Sequence, residues 1–129
     1  MNRSYALAAL LSLLATIVRT WDGQNEVLPA AVDSLTDQRL LGFFHLTWYL
    51  VTVVLGVAAV AFGYLSARPG GGVAGLIIGV IFILWSATIA LVSTAFVWHS
   101  GTVVPMIVTL TIGVLALIGA RRRDPRSTA

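Results

Sequence analysis

Charged residues are absent from positions 69 to 120, a run of 52 residues between Arg68 and Arg121. Val, Ile, Leu, Ala and Phe dominate the run, with Gly, Ser and Thr recurring among them. A helix needs roughly 20 apolar residues to cross about 30 Å of hydrocarbon. The run is therefore too long for one crossing and suits two. Its break falls at Trp98-His99-Ser100-Gly101, where polar and flexible residues cluster. The same apolar character extends from Leu40 to Ala67 and, in shorter form, from Ser4 to Val18. The pattern predicts four spans at about 4–21, 43–66, 73–97 and 102–120, forming a single transmembrane domain. The second and third are joined by Ala67-Arg68-Pro69-Gly70-Gly71-Gly72, rich in helix breakers.

The first span is the shortest. Arg3 followed by a 13-residue apolar stretch, Ala6 to Val18, resembles a signal peptide. No small-x-small cleavage pattern precedes Arg19, so the reading is a retained helix whose Arg19 snorkels to the headgroups beside Trp21. The segment 22–42 is predicted as an outer loop carrying Asp22, Glu26, Asp33 and Asp37. Within it, Ser34-Leu35-Thr36-Asp37 matches a capping box, with Ser34 as N-cap, which would start the second helix near Leu35.

Arginine placement orients the spans. The N-terminal flank, the turn after the second span and the tail 121–129 hold Arg3, Arg68, Arg121, Arg122, Arg123 and Arg126; the other side holds Arg19 and Arg39. Six against two puts both termini in the cytoplasm of a plasma (inner) membrane protein under the positive-inside rule. The sequence pI near 10.2 comes mainly from that tail, directly after an apolar helix. It reads as a topogenic flank rather than a nucleic-acid surface. Only 10% of residues are charged and 58% are hydrophobic, against about 25% charged in ordinary globular domains. There is no cysteine, which removes disulfides and thiolate metal sites.

Each span carries one small or hydroxylated seam. These are Ser12, Thr16 and Arg19; then His45, Tyr49, Thr52, Gly56 and Gly63; then Gly72, Gly79, Ser86, Ser93 and Ser100 at seven-residue spacing, with Gly75 alongside; and finally Thr102, Thr109, Gly113, Ala116 and Ala120. Small residues let membrane helices approach closely. Gly56, Gly63, Gly75, Gly79, Ser86, Ser93, Thr109 and Gly113 are thus predicted to pack helices, and the expected fold is all-α, an integral membrane four-helix bundle. The alternative is a narrow polar pathway along Thr52, Ser86, Ser93 and Thr109. No ionisable carboxylate, Lys or Arg lies at mid-membrane depth to couple such a pathway to ions.

The chemistry-bearing residues gather at the outer boundary. Span two enters there and span three leaves there, which puts His45 and His99, the only histidines, at one level with Trp21, Trp48, Tyr49 and Trp98. Arg39 and Asp37 lie just above. Three readings compete: an aromatic belt with interfacial histidines, a divalent metal held by His45 and His99 with loop carboxylates, or a haem, quinone or lipid-like ligand at the same histidines. No H-x-x-x-H or H-x-x-E-H spacing supports metal locally. No nucleophile elbow and no phosphate loop is present; Gly70-Gly71-Gly72 lacks the Lys and the strand context. By elimination, the expected role is a non-enzymatic subunit or binding component of a membrane complex, homo-oligomeric or larger, with ligand binding at the outer face or small-solute transport as alternatives.

Overall fold

A computed structural model describes residues 2–68, 71–95 and 100–121, the side chains of 95 and 100–102 excepted. These residues are helical apart from short connections, and no strand occurs among them. Helix α1 runs Arg3–Asp22, passes without a break through a π-helical turn at Gly23–Val27, and continues as α2, Leu28–Ser34. Helices α3 (Gln38–Ala67), α4 (Gly72–Ala95) and α5 (Ser100–Arg121) follow. Four stretches are long and apolar enough to cross a membrane: Arg3–Ser34, Gln38–Ala67, Gly72–Thr94 and Val103–Arg121. Exposed Leu, Ile and Val side chains cover their outer faces, as a hydrocarbon solvent requires.

One difference from the sequence reading concerns segment 22–42. It is helical except for Leu35–Asp37. Gly, Asn, two acids and Pro29 read as a loop, yet each finds a helical role. Asn25 donates its side-chain amide to the Trp21 carbonyl at 2.8 Å. Pro29 sits in the first turn of α2, directly after the π turn. The 32-residue stretch Arg3–Ser34 is about 48 Å long, more than the hydrocarbon thickness, so its far part stands beyond the membrane. Asp37, rather than Ser34, is the N-cap of α3: its carboxylate accepts from the Arg39 amide at 2.8 Å. Ser34 is instead the last residue of α2.

The π turn also sets the phase of the buried stripe. Ser4, Ala8, Ser12, half-buried Thr16 and Arg19, and Gly23 follow one another at steps of three or four. The next buried residue is Leu28, five positions on, and then Ala31. Leu28 donates its N–H to the Gly23 carbonyl, closing the wider turn. Continued at α-helical spacing, the stripe would fall on Glu26 and Val27; the wider turn leaves Glu26 exposed and brings Leu28 inward.

The helices alternate in direction and are tied at the end that carries Arg3, Arg68 and Arg121. Asn2 caps α1 by accepting from the Ser4 amide at 3.1 Å. Its own N–H donates to the Ser66 carbonyl at the end of α3 (2.9 Å), and its side-chain amide donates to the Gly119 carbonyl of α5 (2.8 Å). Tyr5 lies one turn deeper, 0% exposed, stacked on Phe62 with centroids 6.1 Å apart. Its hydroxyl donates to the Gly71 carbonyl at 3.3 Å. Glycines make room for it: a Cβ on Gly75 would collide with the Tyr5 hydroxyl end, and one on Gly119 would lie 2.7 Å from the ring.

Packing is uneven around the bundle. Helices α4 and α5 meet closely at Gly79 and Gly113, where a Cβ on Gly113 would lie 3.0 Å from the Gly79 carbonyl oxygen. Helix α1 packs against α3 and, on its other side, α5. Helices α3 and α4, though consecutive, scarcely touch; Phe62 and Phe82 bridge them, with centroids 6.3 Å apart.

The seams of α4 and α5 point inward, with Gly75, Gly79, Ser86, Ser93, Thr109 and Gly113 all buried. The seam of α3 does not. Its buried face is Leu55, Ala58, Phe62, Leu65 and Ser66, whereas Tyr49 is exposed, Gly56 is half-buried and Gly63 has open space around it. Large side chains fill that interface because Tyr5 and Phe62 need apolar neighbours more than close backbone approach.

Two substitutions are expected to move stability in opposite directions. Gly113→Ala forces a methyl against backbone and should destabilise by roughly 1–3 kcal/mol, as overpacking does. Gly63→Ala enters open space in a helix interior and should stabilise by roughly 0.5–1 kcal/mol. Thermal unfolding of both variants in one detergent checks the pair; equal shifts would contradict the packing described.

Candidate functional site

At the other end of the bundle, α1 and the π turn clamp Trp48 of α3. The Arg19 guanidinium carbon lies 3.8 Å from the centroid of the Trp48 ring, a cation–π contact. Gly23 lies along the indole edge: a Cβ there would be 2.7 Å from Cε2 and 3.0 Å from Cζ2, and closer still to Nε1. Phe44, one turn earlier on α3, stacks on Trp48 with centroids 6.1 Å apart. Gln24 donates its side-chain amide to the Tyr49 hydroxyl at 3.1 Å, fixing the next residue of α3 to the same turn.

The π turn makes this clamp. Arg19 and Gly23 are one α-helical turn apart and face α3, and the widened turn directly afterwards swings Gln24 toward Tyr49. The sequence reading paired Arg19 with Trp21; the structure gives it Trp48 instead, and Trp21 is 72% exposed. Neighbours on a helix stand about 100° apart, so a residue two positions away points elsewhere. The signal available in sequence was the Arg19–Gly23 spacing, which leaves a notch beside the cation for an aromatic ring.

Electrostatically, Arg19 is unbalanced. Its Nε is fully buried and has no hydrogen-bond partner among the described residues. Among the described residues no ion pair involves it, and Asp22 and Glu26 are both exposed. A π face offers a guanidinium far less than a carboxylate does. The group is therefore held in a half-buried position with hydrogen-bonding capacity unspent.

The other residues singled out from sequence sit around this clamp without converging. His45 is half-buried one turn from Trp48 and Tyr49 and makes no hydrogen bond among the described residues. Asp37 is exposed and engaged in capping. Arg39 is exposed and lines a shallow hollow of about 280 Å³ with Gly42, Phe43 and Leu46. His99 and Trp98 lie outside the described residues. No group of three or more His, Asp or Glu side chains able to hold a metal occurs among the described residues.

The seam hydroxyls are committed to backbone carbonyls. Ser86 donates across to Met106 of α5 at 2.9 Å, Ser93 to Ile89 at 2.7 Å and Thr52 to Trp48 at 3.0 Å. Thr109 donates to Pro105 at 2.8 Å, with Met106 at 3.1 Å. Ser12 is the exception: its hydroxyl is buried on the Arg19 face of α1 and has no hydrogen-bond partner among the described residues.

No protein-family model matches this chain, and no curated protein or solved structure shows significant similarity to it.

The clamp has a testable signature. Gly23→Ala should destabilise the wild-type background by more than about 1 kcal/mol, because the methyl strikes the indole. In a Trp48→Ala background the same change should cost almost nothing. A double-mutant cycle on unfolding free energies checks this; additive effects would contradict the contact.

Proposed function

We propose that the chain is a non-enzymatic binding component of a membrane complex, lying with both termini in the cytoplasm and engaging its partner at the Arg19–Trp48 end. The observation that carries this reading is Arg19, a half-buried cation stacked on an indole, with no ion pair among the described residues. Holding a charge partly out of water is costly unless it is paired. The clamp of Gly23, Trp48 and Gln24–Tyr49 holds the guanidinium in one place, and a preorganised guanidinium suits a carboxylate brought by another chain. The apolar outer faces and the commitment of seam hydroxyls to backbone also favour packing and assembly over a solute pathway.

Native mass spectrometry after gentle extraction from the source membrane tests this. The wild-type chain should carry a second polypeptide in fixed stoichiometry, and Arg19→Gln should lose it while keeping its helical circular dichroism. A wild-type chain that runs alone, or an Arg19→Gln variant that retains the same partner, would overturn the reading.

A second reading rests on His45, half-buried and without a hydrogen bond among the described residues. An imidazole at the membrane boundary suits a metal, haem or quinone-type ligand, which would be completed from residues such as His99. Bound metal, or absorbance above the protein band, that disappears in His45→Ala would favour this reading over the first.

A further inference from the structure

Helices α3 and α4 diverge from their shared turn and leave an apolar groove of about 680 Å³ between them. Val53, Val57 and Val60 form one wall and Ala74 and Ile78 the other, with Gly56 also lining it. Both walls belong to stretches apolar enough to lie in hydrocarbon. From Val53 to Leu65 the groove follows 13 residues of α3, a rise of about 18 Å. That is close to the depth of one leaflet, about 15 Å.

The groove is not apolar at both ends. Tyr64 lines its mouth, and the Arg68 guanidinium carbon lies 4.6 Å from the Tyr64 ring centroid. Arg68 is exposed, and Arg3 and Arg121 share that end of the bundle. A concave apolar channel one leaflet deep, with a positioned cation at its rim, matches an acyl chain below an anionic headgroup. Basic pockets between membrane helices select anionic lipids in this way. A second copy of this chain would bring its own arginines to the same rim and set like charges together.

We infer that the α3–α4 groove binds one anionic phospholipid from the leaflet on the arginine-rich side, with an acyl chain along Val53–Val60 and the phosphate on Arg68. This site is separate from the Arg19 end and does not depend on the function proposed there. The lipid supplies the contact that α3 and α4 do not make with each other.

The chain lacks cysteine, so a single cysteine can carry a fluorescent probe. With the probe at Val57→Cys, in bilayers of phosphatidylcholine, a small fraction of brominated phosphatidylglycerol should quench about fivefold more effectively than brominated phosphatidylcholine, the worth of one interfacial arginine. A probe at Val114→Cys, on the exposed face of α5, should show no such preference. Arg68→Gln should remove the preference at Val57→Cys, and Ala61→Trp, which fills the groove, should remove the excess quenching without unfolding the bundle. Equal quenching by the two lipids at Val57→Cys would overturn the proposal, as would a preference that survives Arg68→Gln. Near-complete disulfide dimerisation of Val60→Cys in bilayers would also overturn it, by placing a second copy in the groove.

Discussion

Tyr5 is shared by all four membrane-long helices. It belongs to α1, stacks on Phe62 of α3, donates to the Gly71 carbonyl before α4, and occupies the notch that Gly75 of α4 and Gly119 of α5 leave open. Lipid tails are as apolar as Leu, so little hydrophobic drive brings membrane helices together. Close packing and hydrogen bonds must do it. An aromatic ring enclosed by glycines gives many van der Waals contacts, and its hydroxyl adds a second hydrogen bond to the Gly71 carbonyl, which already accepts from the Gly75 amide at the start of α4. Asn2 repeats the logic one turn outward, serving three helix ends with one residue.

The two ends of the bundle are built on different principles. At the arginine-rich end, the polar groups of Asn2 and Tyr5 reach backbone carbonyls, and the helices converge. At the opposite end, a cation leans on an indole and keeps an unspent donor. The first arrangement is complete within the chain and serves stability. The second leaves the cation on an aromatic face, with no ion pair among the described residues.

Much of this was legible in the pattern of residues. Long uncharged stretches fix the number of crossings, and the seven-residue recurrence of Gly and Ser identifies the α4 face that meets α5, because small residues matter wherever backbones approach. The rule misleads on α3. There, Gly56 and Gly63 lie beside a groove and in open space, while Leu55 and Phe62 do the packing. Smallness permits contact but does not demand it, and only the position of α1 decides which face of α3 is used. The segment after Asp22 was unreadable for another reason: Gly, Asn and Pro signal a loop in water, yet each can be accommodated in a helix that widens for one turn. The pairing of Arg19 with Trp48 joins residues 29 positions apart; the Arg19–Gly23 spacing offers a notch for a ring but does not say which ring enters it.

That widened turn has a consequence for how the chain tolerates change in length. A π turn is an α-helix that has taken in one extra residue while keeping what lies on either side in phase. The stretch Gln24–Val27 therefore holds slack of one residue. Removing one residue there would bring Gly23 and Leu28 to α-helical spacing, with both still facing α3, but would set Pro29 in the interior of an unbroken α-helix. Adding one would rotate Leu28 and Ala31 out of the interface, with no neighbouring turn free to absorb the change.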